Sequence, residues 1–187
     1  MYRSDFNNRD HVELLISVNK ERHRPLRAII HNASDCISDD ADLPVNEVIE
    51  AKMRVHANVP YELNHALAPL LADCSDPHAD IVHIGDYVSS RGSKQHIAYA
   101  ASKAAQDNLT LSFAAMLAPK VNVNSLAPAL LQFNEDDSEV DRERALSTGL
   151  MPREGGFDEL QHAVDYLFAS RYVTGRVLPV DGGRHLR

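Results

Sequence analysis

The sequence predicts an α/β fold built around a mainly parallel sheet, and three observations support this. Short apolar runs alternate with longer stretches of helical pattern along the 187 residues. The chemically reactive residues directly follow the apolar runs, where open α/β sheets bind their ligands, beyond the carboxyl ends of their strands. Hydrophobic residues make up 44% of the chain and charged residues 25%, as in ordinary globular domains, so we expect one domain over residues 1–187.

The first predicted elements are a helix and a buried strand. The helix runs from Asp10 to about Arg22, with Asn7 or Asn8 as its cap, because asparagine readily accepts from the free N–H groups of a first turn. Residues 26–30 (LRAII) then have the composition of a buried strand.

A long helix is expected from Pro44 towards Leu71, with Asp42 as its cap. Pro60 lies inside this helix and has no backbone N–H, so we expect a kink just after Asn58. Residues 81–84 (IVHI) form the next predicted strand.

The second half of the chain continues the alternation of helices and strands. Its predicted elements are a helix over 99–117 that stops before Pro119, a strand over 121–126, a polar loop with a short helix within 134–156, a helix over 157–170 and a strand over 175–180.

Asp86, Tyr99 and Lys103 form the most informative pattern in the chain. Tyr99 and Lys103 lie four residues apart at the start of a predicted helix, so they share one helix face. A phenol with a pKa of about 10 is a poor acid–base group at neutral pH, and a neighbouring cation favours its ionised form. The pair therefore suits proton transfer in a hydride-transfer reaction. A chance surface pair and, for Asp86, a simple strand-end cap are the structural alternatives.

Charge and composition exclude several classes of function. The net charge is −8 without a basic run, which argues against nucleic-acid binding. We find no membrane-spanning stretch and no signal-peptide core, so no membrane association is expected. Cys36 and Cys74 form no close pair, which favours a reducing, cytoplasmic location. The ten histidines lack partner ligands at metal-site spacing, so no metal site is predicted.

Four segments, in this order, resemble the short-chain dehydrogenase/reductase family: AIIHNAS, IVHIGDY…YAASKAA, VNVNSLAP and VTGRVLPVDGG. The resemblance extends from about Asp5 to Gly183. It implies a Rossmann-like, doubly wound parallel sheet, NADPH as cofactor and a homotetramer. Within the family the chain is most similar to the pteridine reductases, in particular those acting on dihydromonapterin, through HNAS, GDYV…RGS…HIAYAASKAA and DGGRHLR.

Asp86 carries this closer resemblance, because most of the family has a serine there whereas pteridine reductases have an aspartate. Reducing a dihydropterin requires a hydride at a C=N bond and a proton at its nitrogen, and a carboxyl beside a phenol can pass that proton. The resemblance implies that Tyr99 is the proton donor, alone or with Asp86, and that Lys103 holds the nicotinamide ribose. It also makes Asn58 the helix-kink asparagine whose backbone carbonyl positions a water leading to Lys103.

Further cofactor contacts follow from the same resemblance. Asp5 is expected to meet the adenine amino group. Asn32, Ala33 and Ser34 are expected to pack along the cofactor. The nicotinamide is expected to be flanked by Pro128, Ala129 and Leu130, with Ala129 at the position where the family usually has a glycine.

The sequence departs from the family pattern in two places. The family's first two strands and Gly-rich loop precede the counterpart of Asp5 and are absent here, so we expect an N-terminally truncated sheet that keeps strand 3 and has an open strand edge. Cys36 stands where pteridine reductases usually carry the aromatic residue that stacks on the pterin. The expected activity is therefore NADPH-dependent reduction of 7,8-dihydropterins to tetrahydropterins. The alternatives are a non-catalytic remnant and a reductase for another carbonyl or imine.

Overall fold

The computed structural model describes residues 3–35, 39 and 43–187. A four-stranded parallel sheet in the order β1-β2-β3-β4 forms its centre. Because all strands are parallel, their carboxyl ends meet at one edge, which confirms the predicted α/β class. The strands are β1 (Ala28–His31), β2 (Ala79–Ile84), β3 (Val121–Pro128) and β4 (Arg176–Val180).

Helices precede and connect these strands. Single turns of 3-10 helix occur at Tyr87–Ser90, before α4, and at Arg184–Leu186, after β4. Among the described residues, no helix has both the length and the apolar character needed to cross a bilayer. The helices are α1 (Arg9–Glu21), α2 (Val45–Met53), α3 (Val59–Ala72), α4 (Ile97–Leu117), α5 (Glu139–Ser147) and α6 (Phe157–Ala169).

The two faces of the sheet bury separate apolar clusters. α3 and α4 pack on the face that carries Ile81 and Val123. α6 places Leu167 over Val82 on the opposite face. Ile81 and Val82 are neighbours in β2, and neighbouring strand residues point to opposite faces. α1 packs against α3 through Val12.

The predicted long helix is interrupted just before Pro60. A π-helical turn, Arg54–Asn58, separates α2 from α3, and the N–H of Val59 donates to the carbonyl of Arg54, five residues earlier. Pro60 has no backbone N–H, so it cannot donate to a carbonyl four or five residues before it in the helix. The interruption of the helix is therefore confirmed, whereas the bend of its axis and the proposed role of the Asn58 carbonyl stay predictions.

The described part of the chain before α1 contains no strand, which corrects the expectation that family strand 3 is retained. Local turns use the backbone there instead: Asn8 N–H donates to the Asp5 carbonyl, and the Asn8 side chain caps α1. β1 is thus the edge strand of the described sheet. Ile30, on β1, is 46% exposed, as an open edge predicts.

Two expected features fall outside the described residues, namely the Asp42 cap and the position of Cys36. Asp39 is described, and its carboxylate accepts the N–H groups of Ile97 and Ala98. The helix that carries Tyr99 therefore begins two residues earlier than predicted, because Asp39 caps it from a distant part of the sequence.

Candidate active site

Asp86, Tyr99 and Lys103 come together at the carboxyl edge of the sheet. The Tyr99 hydroxyl donates to Oδ2 of Asp86 at 2.9 Å. Lys103 Nζ lies 5.6 Å from the centre of the Tyr99 ring and donates to the Ile84 carbonyl at 2.7 Å. Tyr99 and Lys103 are both buried, on the first two turns of α4, while Asp86 follows the end of β2 by two residues.

Gly85 allows β2 to approach β3 closely just before Asp86. A Cβ atom at Gly85 would lie 2.8 Å from Ser125 Oγ and 3.1 Å from the Leu126 carbonyl oxygen. Its N–H donates to that same carbonyl at 2.7 Å. The chain then turns, and Asp86 Oδ1 accepts the N–H of Val88 at 2.9 Å. Asp86 is therefore a strand-end cap and a partner of Tyr99 at once, through different oxygens.

Burial raises the pKa of the Asp86 carboxyl above its ordinary value. Hydrogen bonds from Val88 and Tyr99, and the positive charges of Lys103 and Arg184, act in the opposite direction without cancelling the effect. A raised pKa brings the carboxyl closer to neutral pH, which suits a group that gives and regains a proton.

His56 lies behind Tyr99 and was not singled out from the sequence. Its ring meets the Tyr99 ring edge-on, with the centres 5.3 Å apart. Nδ1 of His56 is 2.8 Å from Ser102 Oγ, and Nε2 is 3.0 Å from Ser34 Oγ. Because the Ser102 hydroxyl donates to the Tyr99 carbonyl, Nδ1 is the ring nitrogen that carries the hydrogen. The network joins the segment after β1 to α4.

The His56 ring is neutral in this environment. Burial, together with the positive charges of Lys103 and Lys52, lowers its pKa to about 3. The sequence carried a signal for this burial, because His56 precedes buried Val59 and Leu63 by three and seven residues, which is the spacing of one helix face.

Lys52 is a fully buried lysine on α2 that the sequence analysis also missed. Its Nζ lies 2.9 Å from Oδ2 of Asp35, which directly follows Ser34. A buried ammonium group needs such a partner, so the ion pair fixes the segment after β1 against α2. Lys52 lies four residues after buried Val48 and four before His56, which was the available signal.

A second chain of buried polar groups crosses the core. His31 Nε2 is 2.8 Å from Asn64 Oδ1, Asn64 Nδ2 is 3.3 Å from His83 Nε2, and His83 Nδ1 is 2.7 Å from Thr110 Oγ1. The two imidazole rings stack with their centres 5.0 Å apart. Burial lowers the pKa of His31 to about 4 and that of His83 well below its ordinary value.

The predicted cofactor contacts that follow β1 and β3 lie at the same edge. Asn32, Ala33 and Ser34 follow β1 and are exposed. Pro128 ends β3, and the N–H of Ala129 donates to the Val180 carbonyl at 3.2 Å.

The other predicted residues have varied surroundings. Leu130 is half-buried, and its carbonyl accepts the N–H of Gly155 at 3.0 Å. Asp5 is exposed before α1, where its Oδ1 accepts the N–H of Asn7 at 2.9 Å. The Asn58 side chain is exposed at the end of the π-helical turn.

A second carboxylate follows β4 at the same edge. Asp181 Oδ1 accepts the N–H of Gly183, and its Oδ2 accepts the N–H of His185 and contacts the His185 ring at 2.7 Å. Burial raises the pKa of Asp181, but the hydrogen bonds from His185 and Gly183 outweigh burial, so that the net pKa is lowered. Asp181 thus anchors the C-terminal residues.

The chain is similar to known reductases along its length. The sequence profile of a family described as enoyl-(acyl carrier protein) reductase matches residues 1–185. Dihydromonapterin reductase from Klebsiella pneumoniae is 50% identical over 185 residues, which cover 99% of this chain and 77% of that protein. The corresponding Escherichia coli O6:K15:H31 protein is 49% identical with the same coverage. The crystal structure of FolM alternative dihydrofolate reductase 1 from Brucella canis, complexed with NADP, has a TM-score of 0.84 and 28% identity, covering 100% of this chain and 73% of that one.

Proposed function

This chain belongs to the short-chain dehydrogenase/reductase family, and we propose that it is a pteridine reductase that converts 7,8-dihydropterins such as dihydromonapterin to tetrahydropterins with NADPH. The observation that carries the substrate class is Asp86, which holds the position of the usual family serine and accepts from Tyr99 at 2.9 Å. Relatives named dihydromonapterin reductase at about half identity support the same assignment.

Tyr99 and Lys103 are proposed to hold the nicotinamide ribose. A phenol hydroxyl and an ammonium group, one helical turn apart, match the hydroxyl groups of a ribose, and both lie at the open carboxyl edge. NADPH, when bound, supplies the hydride. The exposed, small side chains at residues 32–34 let a flat ring approach β1, while residues 128–130 are proposed to flank the nicotinamide.

Asp86 is proposed to hold the proton that the pterin nitrogen receives. Burial raises its pKa, so that it keeps a proton to a higher pH than an exposed aspartate does. Tyr99 orients the carboxyl and acts with it as proton donor, and Lys103 favours the tyrosinate that forms after donation. General acid catalysis of this kind contributes about 10²-fold to 10⁴-fold in rate.

Asn58 and Asp5 are proposed to act away from the atoms between which the proton is transferred. Asn58 is proposed to position a water through its backbone carbonyl, so the exposed position of its side chain does not bear on that role. Asp5 is proposed to contact the adenine.

The direct test is NADPH oxidation by the purified chain with 7,8-dihydromonapterin, 7,8-dihydrobiopterin and a panel of ketones. We expect the dihydropterins to be turned over and the ketones to be poor substrates. Asp86→Ser, which restores the usual family residue, should lose dihydropterin turnover while keeping NADPH affinity in a calorimetric titration. Turnover of ketones but not dihydropterins, or no turnover despite measured NADPH binding, would overturn the proposal.

We further propose that the chain forms a homotetramer through α4. Ala101, Ala104, Leu111 and Ala115 are all exposed, and their spacing places them on one face of that helix. Exposed apolar helix faces of this kind favour association. Light scattering should give four times the chain mass, and Leu111→Glu should reduce it. A monomer at all concentrations would contradict the tetramer.

We also propose that the chain is a single cytoplasmic domain. The four described strands form one sheet, which supports a single domain over residues 1–187. Cys74 is free and buried, which suits a reducing compartment such as the cytoplasm.

A further inference from the structure

A groove of about 730 Å³ lies between the turn after β2 and the C-terminal residues. Its lining includes four cationic side chains, Arg91, Lys94, Arg184 and Arg187, and we call it the basic groove. Such a concentration of positive charge is unexpected in a chain with a net charge of −8.

Backbone carbonyls, rather than carboxylates, hold the guanidinium groups of the basic groove. Arg91 Nη1 donates to the Arg184 carbonyl at 2.9 Å, and Arg187 Nη1 donates to the Ser147 carbonyl at 2.6 Å. The guanidinium of Arg184 donates to a carbonyl of α5. Within the part of the chain that the structure describes, neither these arginines nor Lys94 forms an ion pair. A neutral carbonyl orients a guanidinium without cancelling its charge, so the groove keeps a positive potential.

The basic groove begins beside the candidate active site. Tyr87 lines the groove and directly follows Asp86 in the chain. The Arg184 guanidinium carbon lies 5.5 Å from the centre of the Tyr87 ring. Arg184 is also one of the charges that oppose the effect of burial on the pKa of Asp86. Arg184 therefore belongs both to the lining of the groove and to the charged surroundings of Asp86.

We propose that the basic groove binds an anionic substituent of the substrate, that is, carboxylates or a phosphate carried on the side chain of the pterin ring. The proposal rests on the proposed function. Guanidinium groups bind carboxylate and phosphate oxygens in pairs, and a lysine adds a mobile point charge, whereas a neutral hydroxylated side chain gains little from either. The groove thus distinguishes among dihydropterins by the charge of their substituents.

A binding experiment tests the groove without any turnover. The full chain is titrated by calorimetry with p-aminobenzoyl-L-glutamate and with inorganic pyrophosphate, which carry the two anion chemistries without a pterin ring. We expect at least one probe to bind, with the affinity falling as salt rises, and Lys94→Glu to weaken it about fivefold. The probe that binds more tightly identifies carboxylate or phosphate as the source of the anion.

Lys20→Glu is the matched control, because Lys20 is an exposed lysine on α1 and does not line the groove. The Lys20→Glu variant should bind the probes with the same affinity as the unaltered chain. If neither probe binds, or if Lys94→Glu and Lys20→Glu weaken binding equally, the basic groove is not an anion site and the proposal is overturned.

A kinetic experiment separates this proposal from the proposed function. With NADPH, Lys94→Glu should lower kcat/KM for dihydrofolate about fivefold relative to dihydromonapterin, because only dihydrofolate carries carboxylates. An equal change for both substrates would overturn the proposal. If no dihydropterin is reduced while a probe still binds in a Lys94-dependent way, the proposed function fails and the anion site stands.

Discussion

Asp86 and Asp181 each follow a strand at the same edge of the sheet, yet their surroundings move their pKa values in opposite directions. Asp86 accepts one backbone N–H and the Tyr99 hydroxyl, and burial raises its pKa. Asp181 accepts two backbone N–H groups and contacts the His185 ring, and these hydrogen bonds prevail over burial to lower its pKa.

The difference shows that the pKa of a carboxyl at this edge depends on the number of hydrogen-bond donors around it rather than on its position after a strand. A buried carboxyl with few donors keeps its proton to a higher pH and suits proton transfer. A carboxylate with several donors stays ionised and holds structure in place. Asp181 therefore fixes the C-terminal residues that bring Arg184 and Arg187 into the basic groove.

The largest effect expected is on turnover. Asp86→Asn removes the proposed proton donor and should lower kcat for a dihydropterin by about 10²-fold to 10⁴-fold. Asp181→Asn touches no reacting group in the proposed mechanism and should cost much less. Steady-state kinetics of the two variants, with NADPH affinity measured in parallel, test the contrast. Equal losses in kcat would show that the two carboxyls do not differ in role.

Acid sensitivity extends the comparison to the buried histidines, whose pKa values are lowered by burial. A histidine with a depressed folded pKa contributes stability that is present above the unfolded pKa of about 6.5 and is lost as the pH falls towards the folded pKa. For His31, with a pKa of about 4 in the fold, the loss at pH 5 is about 2 kcal/mol.

Urea unfolding at pH 7 and pH 5 measures this loss. His31→Asn keeps a polar side chain at the site and should reduce the difference between the two pH values. Exposed His23 gives the matched control, since its φ of 46° is tolerated by asparagine and His23→Asn should leave the difference unchanged. Equal pH dependence in both variants would contradict a neutral, buried His31.

The Tyr99 hydroxyl should also lower the pKa of Asp86. Its hydrogen bond favours the ionised carboxylate, so Tyr99→Phe should raise the pKa of Asp86 further. Carbon-13 NMR titration of the aspartate carboxyls can follow this, with Asp181 as an internal reference that should not move. Tyr61→Phe, on α3, is the control variant. An Asp86 titration that is the same in all three chains would refute the coupling.

The smallest expected effect is on thermal stability, where the two carboxyls should differ in sign. Asp86→Asn removes a carboxyl whose ionisation is opposed by burial, and it should raise Tm at neutral pH. Asp181→Asn removes hydrogen bonds to a carboxylate and should lower it. Shifts of about 2–4 °C for each kcal/mol are expected for a domain of this size. Calorimetric scans of the two variants measure the direction of each Tm change. Changes in the same direction would contradict the difference between the two carboxyls.

Much of the fold could be predicted because the determining signals are local. The apolar runs at 26–30, 81–84, 121–126 and 175–180 all become strands, and Pro60 marks the break between α2 and α3. The absence of a strand within residues 3–8 could not be predicted, because the family resemblance there competed with the local turn formed by Asp5 and Asn8.

The candidate site was predictable only in part. Spacing on one helix brought out Tyr99 and Lys103, and the resemblance brought out Asp86. His56 and Lys52 were missed because polar residues in an apolar stripe were not treated as buried. The basic groove was also missed, because its cations come from positions near 90 and near 185, which only tertiary folding brings together.

The segment after β1 has two anchors with different destinations, since Asp35 pairs with Lys52 on α2 and Asp39 caps the helix that carries Tyr99. Loop grafting between reductases, a common way to exchange substrate preference, would cut both connections at once. A transplanted segment without an acidic residue at position 39 would leave the first turn of α4 without its carboxylate cap and could move Tyr99, two residues further on. Engineering of this enzyme should therefore treat the segment after β1 and the helix that carries Tyr99 as one module.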